Sequence, residues 1–173
     1  MKRKVVLMLY VILASIACCA ETVSITLEHA KSFEEMMWGL MGRTSLPQNH
    51  GMLFTYPEPK QISLWSFNCE MDLAVAFIDD ANVIKEIAYL KAYPGMMDPK
   101  RPVKSVYDIG LYSREEPIVL FFMSNSIKSR HRCRHALEMD SQFFRDNGVK
   151  EGAKVVWKGG SAEIHFPQTQ PNF

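Results

Sequence analysis

The chain has 173 residues, 47% of them hydrophobic and 23% charged, which is the length of one domain with ordinary globular composition. Its formal net charge is +1. A nearly neutral chain has no general electrostatic reason to bind nucleic acid, so that class of partner is excluded.

The first twenty residues stand apart. Lys2, Arg3 and Lys4 precede an apolar stretch from Val5 to Ala17, followed by Cys18, Cys19 and Ala20. A basic start, a short apolar run and small residues at its end predict a secretory signal over 1–20. The run is too short for the roughly 20 apolar residues a spanning helix needs, so no transmembrane span is expected once the signal is removed. An uncleaved anchor is one alternative, and a lipid anchor at Cys18 is another. Either way the expected location is the periplasm or cell envelope. Residues 21–173 then form a single β-rich domain, expected to be monomeric, with 17 basic residues against 19 acidic ones.

Within that domain, Val23, Ile25 and Leu27 alternate with polar residues as a half-buried strand does. Ser32 with Glu35 forms a capping box, and Phe33, Met36, Met37, Leu40 and Met41 follow at helical spacing. This predicts a helix ended by Gly42. Thioethers suit Cu(I), but a methionine stripe on one helical face is first of all core packing. Met52, Phe54 and Tyr56 predict a strand stopped by Pro57-Glu58-Pro59. A further alternating strand follows over 62–67, with Ser63, Trp65 and Phe67 on one side. Ala74–Ile78 is continuously apolar and predicts a strand buried on both faces. Asp79–Asn82 supplies a turn, and Val83–Leu90 the hairpin partner.

Residues 91–117 are rich in Pro and Gly and predict a long surface excursion. Ile118–Met123 is apolar throughout and is expected to be another buried strand, and Ala136–Met139 a further one. Asp140 or Ser141 caps a short helix through Phe143 and Phe144, ended by Gly148. Val155–Trp157, Gly159-Gly160 and Ile164–Phe166 close the chain as a hairpin. The expected total is about eight strands and two short helices. That predicts a mainly β (α+β) fold, a single compact antiparallel, barrel-like β domain.

Several stretches resemble a known family. "GLMGRTSLPQNHGMLF", "YPEP", "SLWSFN", "AVAFID" and "ALEMDSQFFRDNGVKEGAKVVW" occur in the order found in domain of unknown function 192, a bacterial and archaeal group. The resemblance implies a small, barrel-like β fold, often exported, with no established activity. Where the family reads approximately W-M-K-N-T and then P-L-D, this chain has Trp65-Ser66-Phe67-Asn68-Cys69 and Asp72-Leu73-Ala74. The family's lysine position is Phe67 here, and its aspartate position Ala74.

Three constellations could carry chemistry. Arg43, Trp65 and Asn68 are the ligand-binding candidates: a guanidinium for an anion, a flat ring to stack on and an amide that both donates and accepts. The alternative has Arg43 capping the preceding helix and Asn68 holding a turn. In "HRCRH", a strand would place His131, Cys133 and His135 on one face, which could ligate Zn or Cu. Against that, no fourth ligand is near, and Cys133 could instead be bridged to Cys69 in an oxidising compartment. Lys128–Arg134 is a local basic patch. There is no nucleophile elbow, P-loop or HExxH. No cofactor and no catalytic residue is therefore assigned. The leading expectation is a non-catalytic module that binds a small ligand or an envelope component. The alternative is a hydrolase-like enzyme on a cell-envelope polymer, with Glu138 or Asp72 as its acid or base.

Overall fold

The computed structural model describes residues 22–167. The expected signal segment and Cys18 lie outside the described residues. Nine strands and four short α-helices occur among the described residues. In chain order they are β1 (Thr22–Ala30), α1 (Phe33–Trp38), β2 (His50–Lys60), β3 (Ser63–Leu64), β4 (Leu73–Ile78) and β5 (Ile84–Leu90). There follow α2 (Val106–Ile109), α3 (Pro117–Ser124), β6 (Ile127–Lys128), β7 (Cys133–Asp140), α4 (Phe143–Asp146), β8 (Lys154–Trp157) and β9 (Ser161–His165).

Seven strands make one curled sheet in the order β5-β4-β7-β2-β1-β9-β8, and β3 pairs with β6 in a small ribbon. The sheet is antiparallel except that β1 and β2 run parallel, joined through α1. The curl brings the two edges together at one place. Val83 bridges to Lys154, Ile84 N–H donates to the Ala153 carbonyl (2.9 Å), and Val155 N–H to the Asn82 carbonyl (2.8 Å). The result is a half-barrel with one zipped seam, consistent with the mainly β, barrel-like expectation.

Side-chain alternation divides the core in two. On β4, Ala74, Ala76 and Ile78 join Ile25, Leu137, Phe144, Val155 and Ile164 inside the curl. Leu73, Val75 and Phe77 face the other way, into a second cluster with Phe54, Phe67 and Phe122 beneath α1 and α3. Every residue of β4 is buried, as its unbroken apolar run predicts. The excursion and helices cover the outer face of the central strands, and there the site is built.

Some expectations are corrected. Ile118–Met123 is helix, not strand. Pro117 occupies the first helical turn, and Val119 and Phe122 at i, i+3 spacing are buried. Leu120 (52% exposed) and Met123 (53%) point outward. A helix lying on the surface with apolar side chains on both faces reads, in sequence, like a buried strand. The first helix also stops earlier than predicted. Its capping box is present, but the chain leaves helical geometry at Gly39 (φ +54°), so Leu40 and Met41 are buried in the following turn. Pro57-Glu58-Pro59 does not stop β2, which continues to Lys60 across an irregular register against β7. Of the expected strand over 62–67, only Ser63–Leu64 pairs.

No helix among the described residues is long and apolar enough to cross a membrane. Cys69 and Cys133 are both free and buried, so the anticipated disulfide is not formed. Cys69 lines a cavity beside Glu138, and Cys133 precedes Glu138 by five positions on β7.

Candidate functional site

Trp65 organises the site. It follows β3 and stacks on Phe67, with ring centroids 4.9 Å apart and planes 18° from parallel. Phe67 is fully buried and meets Tyr112 and Phe122 edge-on, each at 5.2 Å. A phenylalanine at the family's lysine position thus holds the tryptophan flat from behind. Ala74, at the family's aspartate position, belongs to the cluster inside the curl, on the opposite side of the sheet from Phe67. A lysine and an aspartate at these two places would not share a site.

Trp65 and Phe67 both border a groove of about 550 Å³ between α1, α2 and the chain leading to α3, walled also by Phe33, Met37, Tyr107 and Tyr112. A second depression of about 440 Å³ continues past Trp65 and Val119 to Met123 and Ser126. Arg114 lines both. Its guanidinium makes no hydrogen bond or ion pair among the described residues. Glu34 lies at the other rim. Such dimensions and such a lining, apolar with a few charged groups, suit a drug-sized organic molecule.

Under the end of α1, and bordered by Trp65, is a cavity of about 40 Å³. That is room for water, or for a group of a few heavy atoms. Its walls are Phe54, Trp38, Met36, Met37, Leu64 and Trp65, with Cys69 and Glu138 as its polar members. Glu138 sits mid-strand on β7 between Met52 of β2 and Val75 of β4. It is 5% exposed, its carboxyl oxygens keep a sliver of contact with solvent, and the carboxyl has no hydrogen-bond or ion-pair partner among the described residues. Burial pushes its pKa up to about 8. A carboxyl largely withdrawn from water and left unpaired keeps its proton at neutral pH. The same surroundings raise the Cys69 thiol to about 12, through burial first and the Glu138 charge second. Tyr56 is raised for the same two reasons. Neither group ionises near neutrality, and a thiol so protonated is no nucleophile. Gly39 lets the helix end lie this close. A methyl there would come 3.2 Å from the Phe54 ring and 3.9 Å from the Glu138 carboxyl, at a positive φ that side chains disfavour.

The three ligand-binding candidates do not converge. Only Trp65 lines the groove. Arg43 makes a two-pronged pair with Glu28 of β1, both N···O distances being 2.6 Å. It is neither a helix-end cap nor a pocket floor, because its guanidinium donates to Glu28 and it lines neither the groove nor the cavity. The pair lowers the Glu28 pKa and raises that of Arg43, in each case mainly through the hydrogen bonds between them. Asn68 holds a turn at φ +53°. Its carbonyl accepts from Gly42 N–H, and its amide donates to the Val103 carbonyl. Asp72 likewise serves the backbone, accepting from Ala92 N–H.

His131, Cys133 and His135 do not share a face. The irregular register of β7 against β2 puts Cys133 in the outer cluster. His135 instead lies against Trp157 and the Thr55 hydroxyl. No group of three or more His, Cys, Asp or Glu able to hold a metal occurs among the described residues. The basic patch is largely spent on pairing. Arg130 meets Glu86 and Glu151, Arg134 meets Asp80, and Arg132 donates to the Pro59 carbonyl. Sequence reasoning missed Phe67, Tyr112 and Arg114 as parts of the site. The i, i+3 pair Val119/Phe122 behind Pro117 was the signal that could have found the helix beside it.

Comparison with known proteins places the molecule. No curated protein sequence matches this chain. A solved structure from Novosphingobium aromaticivorans DSM 12444, a protein of unknown function, is similar at TM-score 0.55 and 22% identity over 76% of this chain and 74% of that one. A second, described as a "putative transcription regulator" from Sinorhizobium meliloti 1021, is similar at TM-score 0.53 and 23% identity over 77% and 88%. At such identities the likeness is one of fold alone. The family model DUF192, "Uncharacterized ACR", matches residues 16–157, and the chain belongs to that family.

Proposed function

We propose that this domain is a non-catalytic binding module that takes a small, largely apolar ligand against Trp65. The observation that carries the reading is the groove itself, with a fixed tryptophan face, aromatic walls and the unpaired Arg114 at its edge. Stacking on a flat ring and burial of apolar surface supply affinity, and a charged rim group orients the ligand. The reading includes export to the envelope, supported by the basic, then apolar, residues 2–20. Titration with aromatic and alkyl probes, followed by tryptophan emission and calorimetry, tests it. Saturable binding lost in Trp65→Ala is the expected result. Binding that persists in that variant would place the ligand elsewhere and end the proposal.

The alternative, an enzyme on an envelope polymer, has one observation in its favour: the protonated Glu138 carboxyl could act as a general acid. Turnover of an envelope polymer that disappears in Glu138→Gln would replace the binding reading with this one.

A further inference from the structure

The cavity under the end of α1 holds a feature that packing alone leaves unexplained. A carboxyl is buried there with no partner. Taking an acid out of water without a compensating hydrogen bond is costly, and an apolar side chain of the same size would fill the space better. We infer that this cavity receives the ammonium group of the ligand whose apolar body lies in the groove, with Glu138 as its counter-ion.

The inference rests on the groove reading and goes beyond it by naming the head group. Met37 and Trp65 line both depressions of the groove and the cavity, so the two adjoin across these side chains. Trp65 is fixed by its stack, and the unbranched, flexible Met37 is the side chain that can yield. Trp38, Trp65 and Phe54 offer aromatic surfaces around the carboxyl, the surroundings that favour an organic cation. An anion or a neutral group can only hydrogen-bond the protonated carboxyl, whereas an ammonium can take its place as the partner of the carboxylate.

The groups that face Glu138 leave it free for this role. β2 contributes Tyr56 and the segment after β3 contributes Cys69, both protonated through the neutral range. α1 contributes Met36, Met37 and Trp38, which do not titrate. Binding therefore has a definite proton balance. The ligand enters as an ammonium and stays one, the Glu138 O–H bond breaks, and the proton leaves to solvent. Between the free value of about 8 and the lower value that a bound ammonium sets, the release approaches one proton per ligand.

Calorimetry of the full domain at pH 6.5 tests this with 2-phenylethylammonium, neutral 2-phenylethanol and 3-phenylpropanoate, repeated in buffers of different ionisation enthalpy. The ammonium should bind about tenfold tighter than the alcohol, with close to one proton released. In Glu138→Gln the ammonium should fall to the level of the alcohol and release none, while the alcohol still binds. The proton count comes from the unmutated protein, so it stands even if the variant folds poorly. If the alcohol or the carboxylate binds as well as the ammonium, or no proton is released, the ammonium site is wrong and the groove reading survives. If none of the three binds, both are wrong.

Discussion

Glu138 makes the fold's stability depend on pH with a sign opposite to that of most carboxylates. Its folded pKa, about 8, lies above the 4.5 of an exposed glutamate. Between those values the unfolded chain has lost the proton and the folded chain has kept it. The stability this group allows is therefore full below about pH 4.5 and falls as pH rises towards 8. Glu138→Gln, neutral at every pH, should melt above the parent at pH 8, by on the order of 10 °C, with the gap closing near pH 4.5. Melting curves of both proteins across that range check it, and a gap that does not change with pH would mean the carboxyl is not held protonated. Arg43 behaves differently. Its pair with Glu28 has ideal two-pronged geometry, but the side chains are 35% and 43% exposed. Solvent screening holds the coupling to about 1 kcal/mol or less, so a double-mutant cycle with Arg43→Ala and Glu28→Ala in urea should give a small coupling that shrinks further in salt. These two residues mark what could be read in advance. A glutamate inside "ALEM" breaks an apolar strand and announces itself as an acid candidate. The partner of Arg43 lies fifteen residues back, on a strand brought alongside only by the parallel β1–β2 pairing, and no local pattern records that.

Elements whose burial is one-sided or complete along their whole length were legible, and those whose burial changes along the chain were not. β4 is buried from end to end, and the hairpin β4–β5 follows from its Asp-Asp-Ala-Asn turn. α3 was misread because its outward face is apolar too, so the helical period is masked. Alanine substitutions separate the two pictures. Phe122→Ala should cost about 3–5 kcal/mol by opening the aromatic cluster on Phe67, whereas Leu120→Ala, on the exposed face, should stay within about 0.5 kcal/mol. A strand buried on both faces would make both substitutions costly, and denaturant unfolding distinguishes the cases. In β2, Gly51 is required by a neighbour instead of by its own conformation. A methyl group there would run into the Met139 sulfur and come within 2.6 Å of the Glu138 carbonyl. Gly51→Ala must therefore push β2 off β7, and a loss of about 2 kcal/mol or more is expected in the same assay.

At the scale of the whole molecule, strand order was the least legible property, because it depends on pairings between residues far apart in sequence. β7 lies between β2 and β4, and β9 pairs with β1 from the other end of the chain. The fact that the sheet closes is a further non-local matter, settled at one short seam. There Ile84 and Val155 exchange backbone bonds with Ala153 and Asn82, Gly152 N–H donates to the Ile84 carbonyl, and Trp157 Nε1 donates to the Asn82 side chain at 2.8 Å. Ile84, Ala153 and Val155 are buried, while Gly152 and Lys154 beside them are exposed. The seam is held from each side by an edge strand, whereas β4 and β7 are bonded along both of their edges. Seam opening should therefore need less free energy than global unfolding. Native-state hydrogen exchange should show the amides of Ile84, Gly152 and Val155 exchanging faster than those of Ala76 and Leu137, and more slowly than those of the 91–117 excursion. Trp157→Phe, which keeps the ring and deletes the bond to Asn82, should quicken the seam amides several-fold and leave the central strands unchanged. Equal acceleration at both places would mean that the half-barrel opens as one unit, with the seam as part of the same cooperative core.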